Sequence, residues 1–471
     1  MVQLNQNFIN NIAQELPSQL SLEEFIAFCD KPLRPSLRVN TLKIDSASLL
    51  ERMQAKGWQF EQIPWCPDGF WYQAPDSVQA GNTVEYLQGL FYVQEASSML
   101  PPMALLYDTH LSTVLDMASA PGSKTTQIAA MMHNEGTLVA NEYSASRIKA
   151  LHFNIQRMGV SNAVMTHFDA RVFGESLYET FDAILLDAPC SGEGTVRKDP
   201  QALKNWDASE IDIIAATQRD LIESAFLALK PGGVLVYSTC TLNKTENHGV
   251  CHHLKQQFGD AVIFESLIDL FRGADQTVTD EGFLHVWPQV YDSEGFFVAR
   301  IRKATSVPRQ LPAPQTRANF PFQPVSTKQY QLLMATINPI IGVELPKTRI
   351  WVRDDEFWLF PEGFAELIGK LRYQRIGVRL ATAEKHGIKL QHEAVMALTV
   401  VPKLALSVDE TQAEQYMMGR DIMLSVPEKA QGERVLVWQQ QVLGMVKHLG
   451  NRLKNQLPRN LVRDNISNNE A

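Results

Sequence analysis

Between Leu111 and Arg302 short aliphatic runs alternate with stretches of helical periodicity, and this alternation restricts the fold more than any other feature of the chain. The runs TVLDM (113–117), TLVAN (137–141), AVMTHF (163–168), FDAILLDA (181–188) and GVLVYST (233–239) have the length and branched composition of strands buried on both faces. Between two of them Ile148, Leu151, Ile155 and Met158 recur at helical spacing, with Ser144 as a cap and Gly159 as a stop. The stretch IDIIAATQRDLIESAFLALK repeats the pattern and is expected to stop at Pro231-Gly232-Gly233. Strand alternating with helix implies βαβ units, so the segment is expected to be a doubly wound, Rossmann-like α/β domain with a parallel sheet. EGFFVARIRK is expected to close it as an edge strand.

A chain of 471 residues is too long for one core. We divide it into an N-terminal α+β region (1–106) expected to bind RNA, the doubly wound domain (107–302), a linker (303–327) holding five prolines, a central α+β unit (328–390), and a tail (391–471) in which HEAVMALTV forms a short helix before a small β-rich unit. With 45% apolar and 20% charged residues, disorder is excluded as the main theme. The opening MVQLNQNFINNIAQEL has no secretory pattern and no run approaches a membrane span, so a cytoplasmic protein without membrane contact is expected. Cys29, Cys66, Cys190, Cys240 and Cys251 are odd in number and form no CxxC pair, which argues against a disulfide framework and a metal site.

The net charge of -9 does not advertise a nucleic-acid partner. Two stripes without acids nevertheless suit a polyanion: Arg34, Arg38 and Lys43 in PLRPSLRVNTLKI, and Lys447, Arg452, Lys454, Arg459 and Arg463 in KHLGNRLKNQLPRNLVR. A solvated face is the plainer reading of each.

The strand TVLDM runs into ASAPGSKTTQIAAMM, a small-residue turn that opens a helix and offers backbone N–H groups. A phosphate-binding loop, GxxxxGK[ST], fails at Ala118 and Ser123, and no GxGxxG is present. Glu142 directly follows the second strand, where a carboxylate can take both hydroxyls of a ribose, and Asp169 follows the third, placed to accept from a purine amine. Singly, such acids are usually caps or surface charges. In series with the loop they describe an adenosine cofactor without a phosphate tail, which S-adenosylmethionine fits.

Asp187 and Cys190 follow the fourth strand and Cys240 the fifth, on the rim where open α/β sheets bind ligands. An isolated free cysteine is more often a small buried hydrophobe. Paired thiols point to methylation at carbon. The C5 atom of a pyrimidine becomes nucleophilic once a thiolate adds at C6, and the reaction then needs a proton acceptor and an acid that stabilises charge on the base. Methylation of nitrogen or oxygen needs no covalent step.

DAPCSGEGTVRKDP (187–200), YSTCTLNKTEN (237–247), DMASAPGSKT (116–125), PLRPSLRVNTLKI and FYVQEASSMLP (91–101) resemble the RNA (cytosine-5) methyltransferase family across residues 30–302. The resemblance implies that Cys240 is the nucleophile and that Cys190 assists release of the product. It implies cofactor contacts at Ala118, Ser119, Ala120, Pro121, Gly122, Ser123, Lys124, Glu142, Asp169 and Asp187, with Asp187 also holding the target base. It further implies a PUA-like RNA-binding tail and a monomer acting on 16S rRNA or the small ribosomal subunit, near its decoding site. Another structured RNA such as tRNA, or a non-catalytic RNA-binding or assembly role, are the alternatives. The family loop usually reads APGGK, so Ser123 is expected to cost backbone freedom. Cytosine-5 DNA enzymes use the PC cysteine as nucleophile, so the chemistry alone leaves both thiols open.

Overall fold

A computed structural model describes residues 4–107, 111–199, 201–204, 206–315, 319–385, 387–398, 405–464 and 466. Its largest sheet is built on five parallel strands in the order Leu229–Thr239, Phe181–Asp187, Thr113–Asp116, Thr137–Asn141 and Ala163–Thr166. The expected aliphatic runs supply all five. Helices and loops cover both faces: Leu115, Ile184 and Phe226 belong to one layer of core, and Val114, Leu185 and Ile128 to the other. Each such side chain stabilises the fold by about 1.5–3 kcal/mol through burial.

The sheet is mixed rather than wholly parallel. Phe296–Lys303 runs antiparallel to Leu229–Thr239, and it is not the edge: Val262–Glu265 pairs outside it. At the opposite edge Arg375–Ile376, from the central unit, adds an antiparallel strand to Ala163–Thr166. Two helix ends also differ from expectation. The helix Arg147–Met158 starts after Ser146, without a side-chain cap, and the Ser144 hydroxyl meets the Ser146 hydroxyl at 2.9 Å; Gly159 ends it at φ 74° as expected. The helix Ala208–Ala228 stops short of Pro231, since the carbonyls of Leu227 and Ala228 are taken by the N–H groups of Glu179 and Thr180 and Leu229 already pairs with Phe181.

The N-terminal unit carries a four-stranded antiparallel sheet, ordered Gln59–Gln62, Gly69–Gln73, Ser36–Val39 and Phe91–Val93. Two cations of its basic stripe are turned inward. Arg38 is 2% exposed, donating through Nε to Gln94 Oε1 at 2.9 Å and through Nη2 to Thr126 Oγ1 at 2.9 Å. Lys43 Nζ donates to the carbonyls of Gln88 and Arg157 at 2.7 and 2.8 Å, and Arg34 is paired with Glu61. Arg38 and Lys43 pin the unit to the doubly wound domain.

The proline-rich stretch 303–327 is not a free linker. Val307 and Phe322 are buried, the Leu311 N–H donates to Glu175, and Gln323–Pro324 pairs with the strand Ile350–Arg353; residues 316–318 lie outside the described part. The central unit adds the helix Thr327–Ile341, opened by a Ser326/Gln329 capping box, on a five-stranded sheet. The helix His392–Leu398 follows, with positions 399 and 400 of HEAVMALTV outside the described residues. The tail forms a second five-stranded sheet beside the helix Glu410–Met417. There the basic stripe is on the surface: Lys447, Arg452, Lys454 and Arg459 are exposed, and Lys447 stands directly across the ladder from Lys454. Arg463 lies over the Phe153 ring. Among the described residues no helix is long and apolar enough to cross a membrane.

Candidate active site

The carboxyl ends of the parallel strands carry the expected residues to one rim. Thr113–Asp116 delivers the small-residue loop, and Gly122 turns it into the helix Ser123–Met131 at φ 108°, which a side chain would strain. Ser123 is the first residue of that helix and not part of the turn, so the serine carries none of the expected backbone cost. Within the loop Ser119 donates to the Asp116 carbonyl, and Thr125 donates to Asp116 Oδ2 at 2.7 Å. Asp116 is buried, which pushes its carboxyl up to about 6 against the pull of the Thr125 hydrogen bond, and its Oδ1 has no partner.

Glu142 is 3% exposed and ties the second strand to this loop, accepting from the Ala120 N–H at 3.2 Å and the Ser144 N–H at 2.7 Å. The Asn154 amide donates to the Pro121 carbonyl at 2.9 Å. Asp169 is engaged within its own turn. It caps a short 3-10 turn, and the Arg171 guanidinium donates to both of its oxygens, holding the carboxyl below its ordinary range. An amine seeking Asp169 would compete with that fork.

Asp187 accepts from Lys124 Nζ at 2.7 Å and from Ser238 Oγ at 2.8 Å, which joins the loop helix to the fourth and fifth strands. Burial works against the Lys124 charge, but Asp187 outweighs it and raises the ammonium above its usual range. The two thiols meet beyond this pair, Cys190 Sγ lying 3.2 Å from Cys240 Sγ. The hydrogen bond with Cys240, followed by burial, pushes the Cys190 thiol well up. Cys190 therefore keeps its proton.

A buried polar network locks the two cysteine loops together. Glu193, wholly buried, accepts from Thr241 Oγ1 at 2.8 Å and from the N–H groups of Leu242 and Asn243 at 3.1 and 2.9 Å, while Trp206 donates to its other oxygen at 2.8 Å. Glu246 accepts from the Ser191 N–H at 3.0 Å, from Gln218 at 2.9 Å and from Asn243 at 2.7 Å. The Gly194 N–H donates to the Cys240 carbonyl at 2.9 Å. Each thiol is thus held by the segment that carries the other.

The chain matches known proteins in successive segments along its length. A family model described as "16S rRNA methyltransferase RsmB/F" matches residues 103–302, and one for the N-terminal domain of 16S rRNA methyltransferase RsmF matches 4–96. The pre-PUA domain of ribosomal RNA small subunit methyltransferase F matches 322–398, and the methyltransferase RsmF PUA domain matches 403–463. Ribosomal RNA small subunit methyltransferase F of Shewanella loihica is 63% identical, covering 100% of this chain and 98% of its own. The chain belongs to the ribosomal RNA small subunit methyltransferase F family.

The protein of that name from Shewanella baltica is 60% identical over 99% of this chain and 98% of its own. Among solved structures, a methyltransferase homolog from Pyrococcus horikoshii is 34% identical with a TM-score of 0.53, covering 64% of this chain and 100% of its own. NSun6 from Pyrococcus horikoshii, solved with SFG, shares the fold at 22% identity and a TM-score of 0.55, over 64% of this chain and 98% of its own.

Lys124, Asp187, Cys190 and Cys240, which the family resemblance singled out, come together, and Glu142 closes on the loop. Reasoning from the sequence missed Glu193, Asn243 and Glu246. All three stand inside the stretches quoted for the thiols, as buried acids and an amide within three to six residues of a cysteine. That crowding of polar residues between apolar runs was the available signal.

Proposed function

We propose that this protein methylates C5 of a cytosine in 16S rRNA of the small ribosomal subunit, near its decoding site, acting as a monomer in the cytoplasm with S-adenosylmethionine as donor. The observation that carries the reading is the pair of thiols at 3.2 Å, one of which keeps its proton. A methyl transfer to nitrogen or oxygen has no use for such a pair; a transfer to C5 needs one thiolate that adds to the base and one group that helps it leave.

The rim suits the donor. Glu142 has a lone pair left on each oxygen beside the Gly122 turn, Asp116 Oδ1 is buried without a partner, and the loop from Ala118 to Gly122 runs into a helix start. Those residues, with Lys124 and Asp187, would hold S-adenosylmethionine, and Asp169 would join them only by sharing its carboxylate with Arg171. When bound, this cofactor supplies an electrophilic methyl group.

The chain's own groups do the rest. Cys240 adds to C6 and makes C5 nucleophilic. Asp187, an acceptor oriented by Lys124 and Ser238, takes the exocyclic amine of the base and keeps C6 over Cys240. After transfer the C5 proton passes to water, its bonding pair forms the C5–C6 double bond, and Cys240 leaves C6 as a thiolate that accepts a hydrogen bond from the Cys190 thiol. An unstacked cytosine is required. The N-terminal unit, with Arg38 buried and Lys43 held by backbone carbonyls, shapes the body, and the exposed tail stripe holds RNA phosphates. Small-subunit ribosomal RNA incubated with labelled S-adenosylmethionine should carry the label in 5-methylcytosine; label in any other nucleoside, or none, contradicts the proposal.

A further inference from the structure

One acid beside this site is used by nothing above. Glu294 lies in the loop between the short helix Pro288–Tyr291 and the strand Phe296–Lys303, and that loop is held rigidly. Arg197 donates to the Ser293 carbonyl at 3.1 Å and to Asp292 at 2.8 Å, and the Glu294 N–H donates to Glu95 Oε1 at 3.1 Å. The Gly295 N–H donates to the Gly194 carbonyl at 3.0 Å, so closely packed that a Cβ on Gly194 would fall 2.0 Å from the Gly295 oxygen. Gly194 in turn donates to the Cys240 carbonyl. On the other side of the loop the Phe296 ring lies 5.4 Å from Lys124 Nζ. Glu294 is therefore anchored to both halves of the site.

Its carboxyl is 5% exposed, and Oε1 is buried with no hydrogen-bond partner. Such an atom costs stability, which a partner arriving from outside would recover. Glu95, Lys198, Lys124 and Arg197 are the charged groups that act on it. Burial, then the like charge of Glu95, outweigh the three cations and push the carboxyl up to about 8, so at neutral pH it is an acid with a proton to donate.

A cytosine presents an amine donor at N4 and acceptors at N3 and O2. Asp187 already accepts from Lys124 and Ser238 and can serve the amine. Addition of a thiolate at C6 moves electron density onto N3 and O2, where a donor is worth most in the transition state. We propose that Glu294, through its unpartnered Oε1 edge, donates a hydrogen bond to N3 of the target base as Cys240 adds at C6. This rests on the cytosine C5 reading above.

The two stand or fall separately in one experiment. Methylation of small-subunit ribosomal RNA is followed from pH 6.5 to 9.5 with the product nucleoside identified, for wild type, Glu294→Gln and Glu294→Ala. The wild type should form 5-methylcytosine and lose kcat/KM above about pH 8 as the acid ionises. Glu294→Gln, which keeps an N–H donor at every pH, should stay close to wild type and lack the alkaline fall. Glu294→Ala should lose on the order of 10²-fold. Wild-type rates in Glu294→Ala, an inactive Glu294→Gln, or an alkaline fall that persists in Glu294→Gln overturns the proposal while leaving C5 methylation intact. If wild type forms no 5-methylcytosine, the underlying reading fails and this one with it.

Discussion

Cys190 Sγ and Cys240 Sγ lie 3.2 Å apart on loops that leave adjacent parallel strands, and the contact itself raises the Cys190 thiol. Two thiolates would repel at that separation, and Cys190 is the sulfur that keeps its proton. Cys240→Ala should abolish methyl transfer. Cys190→Ala should still add to the base and accumulate as a protein–RNA species that survives denaturing electrophoresis. Normal turnover with free RNA in Cys190→Ala contradicts the role given to that thiol.

Glu193 is the centre of the second cysteine loop. Glu193→Ala would strip acceptors from Thr241, Leu242, Asn243 and Trp206 in a fully buried place. Several orphaned donors at about 1–3 kcal/mol each should lower unfolding stability by roughly 3 kcal/mol or more. Denaturant titration measures this, and a change below about 1 kcal/mol would contradict the account.

Lys43 gives stability a pH dependence. Burial, with Arg157 adding, lowers its ammonium to about 7, while the unfolded chain keeps the ordinary value near 10.5. Between these values the unfolded state binds more protons, so stability should rise with pH from about 7 to 10.5 and be lowest below 7, where the buried group must charge. Lys43→Met should flatten that rise and destabilise the protein by leaving the carbonyls of Gln88 and Arg157 without their donor.

The same substitution separates the two basic stripes. Lys43→Met should leave the salt dependence of RNA binding unchanged, whereas Lys447→Ala and Lys454→Ala should each weaken binding and reduce the slope of log K against log salt by about 0.7–0.9. The two lysines face each other across one ladder step, an arrangement unfavourable without an anion between them. Unchanged slopes in both tail variants would contradict a phosphate-binding role.

The five parallel strands were legible because strands buried on both faces leave aliphatic runs, and such runs bounded by helical spacing admit few other folds. Val262–Glu265 and Arg375–Ile376 were not, since short edge strands acquire their identity from a partner far away in the chain. Arg38 and Lys43 misled for a related reason: a run of cations reads alike whether its heads face solvent or buried carbonyls. The placement of the small-residue loop and the thiols at strand ends was legible from the runs that precede them. Arg171, two residues on, engages the Asp169 carboxylate in a way no spacing rule announces, and no local pattern marks Glu294, whose N–H meets Glu95 while the neighbouring Gly295 N–H meets Gly194.

The most direct test uses RNA carrying 5-fluorocytosine, whose C5 fluorine cannot leave as a proton does, so the sulfur–C6 bond is retained after methyl transfer. Small-subunit ribosomal RNA so prepared, incubated with the protein and S-adenosylmethionine, should yield a covalent complex whose nuclease- and protease-digested peptide carries the methylated nucleotide on Cys240. A complex mapped to Cys190, or methylated RNA recovered with no covalent complex, would contradict the account.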